Sequence, residues 1–338
     1  MYGILVAAFV AALITALATP AVRRWSEKVG AVDQPDERRI NTTPKPRMGG
    51  IAIGLGFLVA VVLTVTVRQF AREGQHTWSW QVVGVLFAVI FAGCVGFIDD
   101  LKDLSPRRQI MGVVVAGLIL AACGVRIEGI TNPLGGGFGA HYNSVVNWHP
   151  LNMITSVVIT ILWVFAVTKT VDAIDGADGL AAGVCAISAG TLALMATLLR
   201  TQEGPTLALM AAAVTGACLG FLRHNYHPSK IIMGTVGAWV LGVSLAAISI
   251  LGAFKVAAAV SVLVPVLVLG VPLFDYTHVI TRRILERAPL TKADKRHLHH
   301  RLLALGWNQW QVVWFIYSVT IVLNVIAFAI FQHGRGPH

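Results

Sequence analysis

The chain has 338 residues, 56% of them hydrophobic and only 12% charged, with a mean hydropathy of +0.73. This excludes a soluble globular protein and gives the profile of an all-α, polytopic integral membrane protein, one domain over residues 1–338. The net charge of +10 is not gathered in any soluble basic domain. That excludes nucleic acid as a partner and leaves anionic membrane lipids.

Ten apolar stretches can serve as spans, each needing about 20 residues. They lie at about 3–19, 49–67, 80–98, 110–125, 153–168, 180–199, 206–222, 231–251, 256–274 and 312–331, the fourth being short. The first has no N-terminal positive charge and no small-residue cleavage site, so it reads as a retained helix rather than a signal peptide. Loops 21–48, 99–109, 169–179, 223–230 and 275–311 hold 20 of the 26 Lys and Arg residues. Because such residues concentrate on the cytoplasmic side, both termini are expected outside and these loops inside. All ten Asp residues also fall in these loops or at their helix ends, whereas the outer loops have only Glu73, Glu128 and Glu203. The chemistry is therefore expected at a cytoplasmic cleft. Cys94, Cys123, Cys185 and Cys218 sit singly in apolar stretches without metal spacing and read as small buried residues.

The first inner loop ends Pro44-Lys45-Pro46-Arg47-Met48-Gly49-Gly50. Its prolines exclude a continuous helix. A basic loop running into a helix N-terminus can donate to a phosphate, although a plain positive-inside anchor explains this loop alone better. The second places Asp99, Asp100 and Asp103 where a span leaves the membrane, followed by Arg107 and Arg108. Carboxylates abutting a span are costly without a purpose, and a hard cation with oxygen ligands relieves their repulsion. The outer segment 126–152, with Gly135–Gly137, Tyr142 and Trp148, reads as an interfacial or re-entrant loop. The third inner loop runs from Lys169 through Asp172, Asp175-Gly176 and Asp178-Gly179. If helical, that spacing of three puts the aspartates on one face, where they repel unless a cation binds. Residues 231–239 read as an ordinary Gly-containing helix start. In the last loop Asp275, Arg282, Arg283 and Arg287 precede Asp294 and His297-Leu298-His299-His300-Arg301. No thiolates accompany the histidines, so a phosphate-binding edge fits them better than zinc.

Together these motifs resemble the polyprenyl-phosphate N-acetylhexosamine-1-phosphate transferases (glycosyltransferase family 4). The resemblance covers nearly the whole chain. It is carried by Pro46-Arg47-x-Gly49-Gly50, Asp99-Asp100-x-x-Asp103-Leu-Ser-Pro106, Asp175-Gly-x-Asp178-Gly-Leu-Ala-Ala-Gly183, Pro272-x-Phe-Asp275 and His297-Leu-His-His300-Arg-Leu. It is similar to the branch that initiates O-antigen and teichoic acid assembly, whose donor is typically UDP-N-acetylglucosamine. The resemblance implies a multi-pass protein of the bacterial cytoplasmic membrane that moves a sugar-1-phosphate from a UDP-sugar to polyprenyl phosphate, releasing UMP, with Mg²⁺ or in its place Mn²⁺. A homodimer is compatible with it. It implies catalytic roles for Asp99, Asp100, Asp175 and Asp178, and phosphate or nucleotide contacts for Arg47, Asp275, His297, His299, His300 and Arg301.

The chain also departs from the family pattern. Thr235 stands where the family has its metal-ligand Asp, Lys169 and Asp172 where it has two Asn, and Asn41 where it has His. Gln109 and Val113 replace a Lys and a Gln. The presumed metal pocket is thus about one charge unit less attractive to a cation, on the order of 1–4 kcal/mol at ~4 Å. Two readings stand side by side. Either Asp172, with Asp175, replaces the lost metal ligand in an active enzyme. Or the Lys169 ammonium stands where the cation belonged, and the chain is a non-catalytic paralogue that binds UDP-sugar or polyprenyl phosphate or scaffolds a glycan pathway. A transporter fits less well, because its ionisable residues belong near the midplane and these cluster at helix ends.

Overall fold

An apolar chain without water to satisfy its backbone N–H and C=O groups must bond them internally, and helices do so within one segment. The computed structural model describes residues 2–34, 44–71, 78–131, 148–199, 201–253, 266–286 and 297–333 and is nearly all helical. In chain order come α1 (Tyr2–Lys28), β1 (Val32–Asp33), β2 (Lys45–Pro46), α2 (Gly50–Ala71), α3 (Trp80–Lys102) and α4 (Pro106–Ala122). Then follow β3 (Gly129–Thr131), β4 (Trp148–Pro150), α5 (Met153–Ile174), α6 (Leu180–Leu198), α7 (Gly204–Asn225) and α8 (Gly234–Ala253). The C-terminal part holds α9 (Gly270–Leu285), the short α10 (Leu298–Ala304) and α11 (Gln309–His333).

Among the described residues, eight helices are long and apolar enough to cross a membrane: α1, α2, α3, α5, α6, α7, α8 and α11. The expected fourth span is the 17-residue α4. Most of the expected ninth span, 256–274, lies outside the described residues. So do Asn41, Arg287 and Asp294, Gly135–Gly137 and Tyr142 in the outer loop, and the side chain of Trp148.

Helix α8 is apolar on every face, as an enclosed helix must be. It packs against α2, α3, α4, α5, α6 and α7, while α1 leans on α7 and α2. The fully buried Trp239 of α8, Phe57 of α2 and Phe221 of α7 anchor this core. Truncating any one of them to Ala is expected to cost about 3–5 kcal/mol. Small residues set the closest crossings. A Cβ on Gly50 would fall on the backbone of Gly237, so α2 and α8 meet main chain to main chain.

That crossing also places the first inner loop. β1 and β2 form an antiparallel ribbon pairing Val32 with Pro46 and Asp33 with Lys45. The chain just beyond it pairs with the segment before α8: Ile232 N–H donates to the Pro46 carbonyl (2.8 Å), and the N–H groups of Gly49 and Gly50 donate to Ile232 (3.0 Å) and Met233 (2.9 Å). Residues more than 180 apart in sequence are thereby joined through backbone groups that would otherwise lack partners.

Candidate active site

On one face of the helical bundle, the C-terminal ends of α3, α5 and α7 meet the N-terminal ends of α6 and α8 around a cavity of about 280 Å³. All five loops read as inner contribute to its wall: Asp33 and Arg47; Asp99, Asp100 and Asp103; Asp172, Asp175 and Asp178; Asn225; and His300. Ile232, Gly234 and Thr235, at the start of α8, complete it.

Asp103 ends α3 in the left-handed conformation (φ 44°), its N–H donating to the Asp99 carbonyl at 2.8 Å. This turn brings Leu104 N–H to Asp99 Oδ1 (2.9 Å), which also accepts from Gln109 Nε2 (2.9 Å). Asp100 points the other way and caps α8. Its Oδ1 accepts from Thr235 N–H (3.0 Å) and its Oδ2 from Val236 N–H (3.1 Å), so a carboxylate sits at the positive end of a buried helix. Position 234 must be Gly, because its φ is +73° and a Cβ there would lie 2.5 Å from Asp100 Oδ2.

The third loop is not one helical face. α5 stops at Ile174, and the three aspartates diverge. Asp172 accepts from Lys169 Nζ (2.9 Å). Among the described residues, Asp175 Oδ2 accepts only from Gly234 N–H, at 3.2 Å. Desolvation, followed by the charges of Asp172 and Asp100, pushes its pKa well above the usual aspartate value, and this one hydrogen bond opposes the rise only weakly. Asp178 takes the opposite course. Lys45 Nζ lies 2.8 and 2.9 Å from its two oxygens, Ser229 donates from Oγ (2.6 Å) and from N–H (3.0 Å), and His227 Nδ1 is 3.0 Å away. Desolvation works to raise the Asp178 pKa, but the hydrogen bonds of Lys45, Ser229 and His227 outweigh it and hold the carboxyl below its usual value.

Lys169 is the centre of a second network. Besides Asp172 it donates to Gln109 Oε1 (2.8 Å), and its ammonium lies 5.3 Å from the centre of the Trp239 ring. Gln109 thus links Lys169 to Asp99. Arg47 Nε donates to Asp33 at 2.6 Å, with Asp103 3.5 Å from the guanidinium.

The last loop divides. His300 lines the cavity. Asp275 is buried and starts α10, accepting from Leu298 N–H (2.7 Å) and pairing with His297 Nδ1 (2.9 Å). His299 is buried, its Nε2 only 2.5 Å from where a Cβ on Gly176 would be. Desolvation, with the nearby His300 and His297, pushes its pKa down to about 3, so its ring is neutral at physiological pH. Arg301 is exposed on α10 and is not part of the cavity wall.

Several participants were not legible as such in sequence. Lys45 looked like one more positive-inside charge, and Ser229 and His227 had no motif around them. The segment at Gly234 looked like an ordinary helix start. The only local signal was Gly at a helix N-terminus, and nothing near it in sequence announces the two carboxylates that arrive from α3 and from the end of α5.

Among the described residues, no three His, Cys, Asp or Glu side chains are gathered as a metal-binding group. A Mg²⁺-type ion needs no such group, since it takes one or two carboxylates and completes its shell with water and substrate phosphate. The donor chemistry fits at Asp175, whose second oxygen accepts no hydrogen bond from the described residues and whose charge three neighbouring aspartates oppose. Asp172 is the adjacent carboxylate, already shared with Lys169. Seven aspartates line the cavity; Arg47 pairs with Asp33 and Asp103, Lys45 with Asp178 and Lys169 with Asp172, so three cations face seven carboxylates, and Asp99, Asp100 and Asp175 have no cationic side-chain partner among the described residues.

The family described as glycosyl transferase family 4 matches residues 82–253. The chain is 35% identical over 327 residues to a probable undecaprenyl-phosphate N-acetylglucosaminyl 1-phosphate transferase of Bacillus subtilis, covering 96% of this chain and 84% of the relative. It is 35% identical to the decaprenyl-phosphate N-acetylglucosaminephosphotransferase of Mycobacterium tuberculosis (96% and 82% covered). It is 31% identical to a phospho-N-acetylmuramoyl-pentapeptide-transferase of a Synechococcus species (94% and 88% covered).

Proposed function

Since the chain belongs to glycosyl transferase family 4, among the polyprenyl-phosphate N-acetylhexosamine-1-phosphate transferases, we propose that it moves N-acetylhexosamine-1-phosphate from a UDP-sugar to a polyprenyl phosphate. UDP-N-acetylglucosamine and undecaprenyl phosphate are the first substrates to try, and UMP is the product released. A phosphate oxygen of the lipid attacks the phosphorus that carries the sugar, and the anhydride bond to uridylate breaks. The reaction needs alignment and charge neutralisation more than covalent help.

The observation that carries this reading is the surplus of carboxylates at a cavity reached from helix ends. Two polyanionic substrates could not enter it unless a cation were taken up with them. Mg²⁺, or Mn²⁺ in its place, would be held by Asp175 and Asp172 and would supply neutralisation of the diphosphate as charge passes to uridylate. Asp99 keeps one oxygen without a hydrogen bond from the described residues, which suits it to orient or deprotonate the lipid phosphate at the end of α3. Asp100 positions the start of α8. Asp178 holds the first and fourth inner loops together through Lys45 and Ser229. His300 lines the cavity and in this reading contacts donor phosphates. Positive-inside charge supports a cytoplasmic cavity in a multi-pass protein of the bacterial cytoplasmic membrane.

The Lys169–Asp172 pair, with Thr235 in place of an acid, favours a second reading, a non-catalytic binder. UMP release from UDP-N-acetylglucosamine by purified protein with undecaprenyl phosphate and Mg²⁺ separates the two. Wild-type turnover that Asp172→Asn abolishes supports the enzyme with a relocated ligand. An inert wild type that gains turnover as Thr235→Asp/Lys169→Asn sinks the active-enzyme reading.

A further inference from the structure

A second cavity, of about 200 Å³, lies between the C-terminal ends of α1 and α7 and is lined by Thr19, Pro20, Arg23, His224, Lys230 and Ile231. Its charge is opposite to that of the acidic cavity. Over residues 19–28 and 223–230 the chain has five Lys and Arg residues (Arg23, Arg24, Lys28, Arg223, Lys230) against Glu27 alone. Glu27 engages Arg23 at 3.0 Å, but both side chains are more than two-fifths exposed, and an exposed pair of this kind is weak and readily yields to another anion. Lys230 is exposed and its ammonium makes no ion pair among the described residues. His224 Nε2 is 3.0 Å from the Ala16 carbonyl. A carbonyl only accepts, so the ring donates there and stands as a wall between the helices.

The apolar side of the cavity says what kind of anion it suits. Leu13, Leu17 and Pro20 follow one another at helical spacing along one face of α1, and Leu13 and Leu17 are 46% and 70% exposed. A ligand whose anionic group sits by Arg23 and Lys230 can therefore lay a hydrocarbon tail along α1. Trp25, 41% exposed and stacked on Phe97, marks the same level as interfacial.

We propose that this cavity binds the phosphate of an anionic phospholipid headgroup, at a site separate from the acidic cavity. Basic recesses between spanning helices suit such headgroups. The segment 224–232 forms the partition between the two cavities: Asn225 and Ile232 face the acidic one, whereas His224, Lys230 and Ile231 face the basic one. The same segment carries Ser229, the partner of Asp178.

The test compares wild type with Arg23→Gln/Lys230→Gln in nanodiscs of phosphatidylcholine, with or without phosphatidylglycerol. Melting is recorded in each, and the phospholipid retained after re-extraction into detergent is measured by mass spectrometry. Wild type is expected to retain phosphatidylglycerol preferentially and to melt higher with it. The double variant should lose that preference by about fivefold for each charge removed while melting like wild type in phosphatidylcholine. Lys230→Gln alone, an exposed substitution, keeps the test if the double variant does not fold. Equal retention of phosphatidylglycerol by variant and wild type overturns the site. Inorganic phosphate reproducing the melting shift without phosphatidylglycerol overturns the lipid as its source.

Discussion

Asp175 and Asp178 stand three residues apart and have opposite electrostatics. Asp178 is bonded by Lys45, Ser229 and His227, and its lowered pKa means that the folded chain favours its charged form. Its contribution to stability is present above the ordinary aspartate value and is lost as pH falls through the lowered folded value. Asp178→Asn leaves the largely buried Lys45 ammonium (12% exposed) without its counter-charge and is expected to cost about 3 kcal/mol in denaturant unfolding. Lys45→Met/Asp178→Asn should recover part of that loss, and a double variant as unstable as the sum of both singles would refute the pairing. Asp175 has the reverse sign. Its raised pKa means that the unfolded chain gives up this proton first, so stability falls as pH rises above the ordinary aspartate value and levels off above the raised folded value. In chelator at neutral pH, Asp175→Asn should therefore melt about 2–4 °C above wild type while losing roughly 100-fold or more in turnover. Added Mg²⁺ should stabilise wild type more than the variant, and a variant that melts lower in chelator would contradict the strained carboxylate.

At the scale of the element, the start of α8 organises the site. Its first N–H groups, which no helix can satisfy internally, bond Asp100 and Asp175, and Gly234 permits the approach. Gly234→Ala puts a methyl group against the Asp100 carboxylate at an unfavourable φ. It is expected to reduce turnover well beyond its effect on folding, with circular dichroism still showing the helices. Gly50→Ala acts on the crossing below, driving α2 from α8, and overpacking of this kind costs about 1–3 kcal/mol. A fully active, equally stable Gly50→Ala protein would mean that this contact does not set the site. The presence of these helices follows from hydropathy alone. Where α5 stops does not: Asp172, Asp175 and Asp178 share helical spacing, but the hydrogen bonds that separate them come from Lys169, Gly234 and Lys45, two of which lie on other elements.

For the whole molecule, the loops rich in Lys and Asp converge on one face, as expected if they share a compartment. The orientation is open to direct measurement. In a background with the four native cysteines replaced by alanine, Lys102→Cys should react with an impermeant maleimide only after spheroplasts are opened, and Gln202→Cys should react in intact ones. The reverse pattern would turn the acidic cavity outward and remove access to a cytoplasmic UDP-sugar.

Hydropathy and the one-sided distribution of Lys, Arg and Asp were enough to define a helical membrane protein with acidic chemistry at one set of helix ends. Both are one-dimensional quantities set by the cost of transferring side chains from water. The motifs around Asp99–Asp103, Asp175–Asp178 and His297–Arg301 were likewise legible, as was the anomaly at Lys169 and Thr235. Only the tertiary structure decided how the charges are shared: Lys45 goes to Asp178, Lys169 to Asp172, Asp100 to the α8 backbone and Asp275 to α10, while Asp175 accepts one weak hydrogen bond from the described residues. Apart from Lys169 and Asp172, which share a helix, those partners come together across long sequence separations, and a carboxylate's preference among a lysine, a helix end and a cation depends on distance and desolvation, which exist only once the helices are packed.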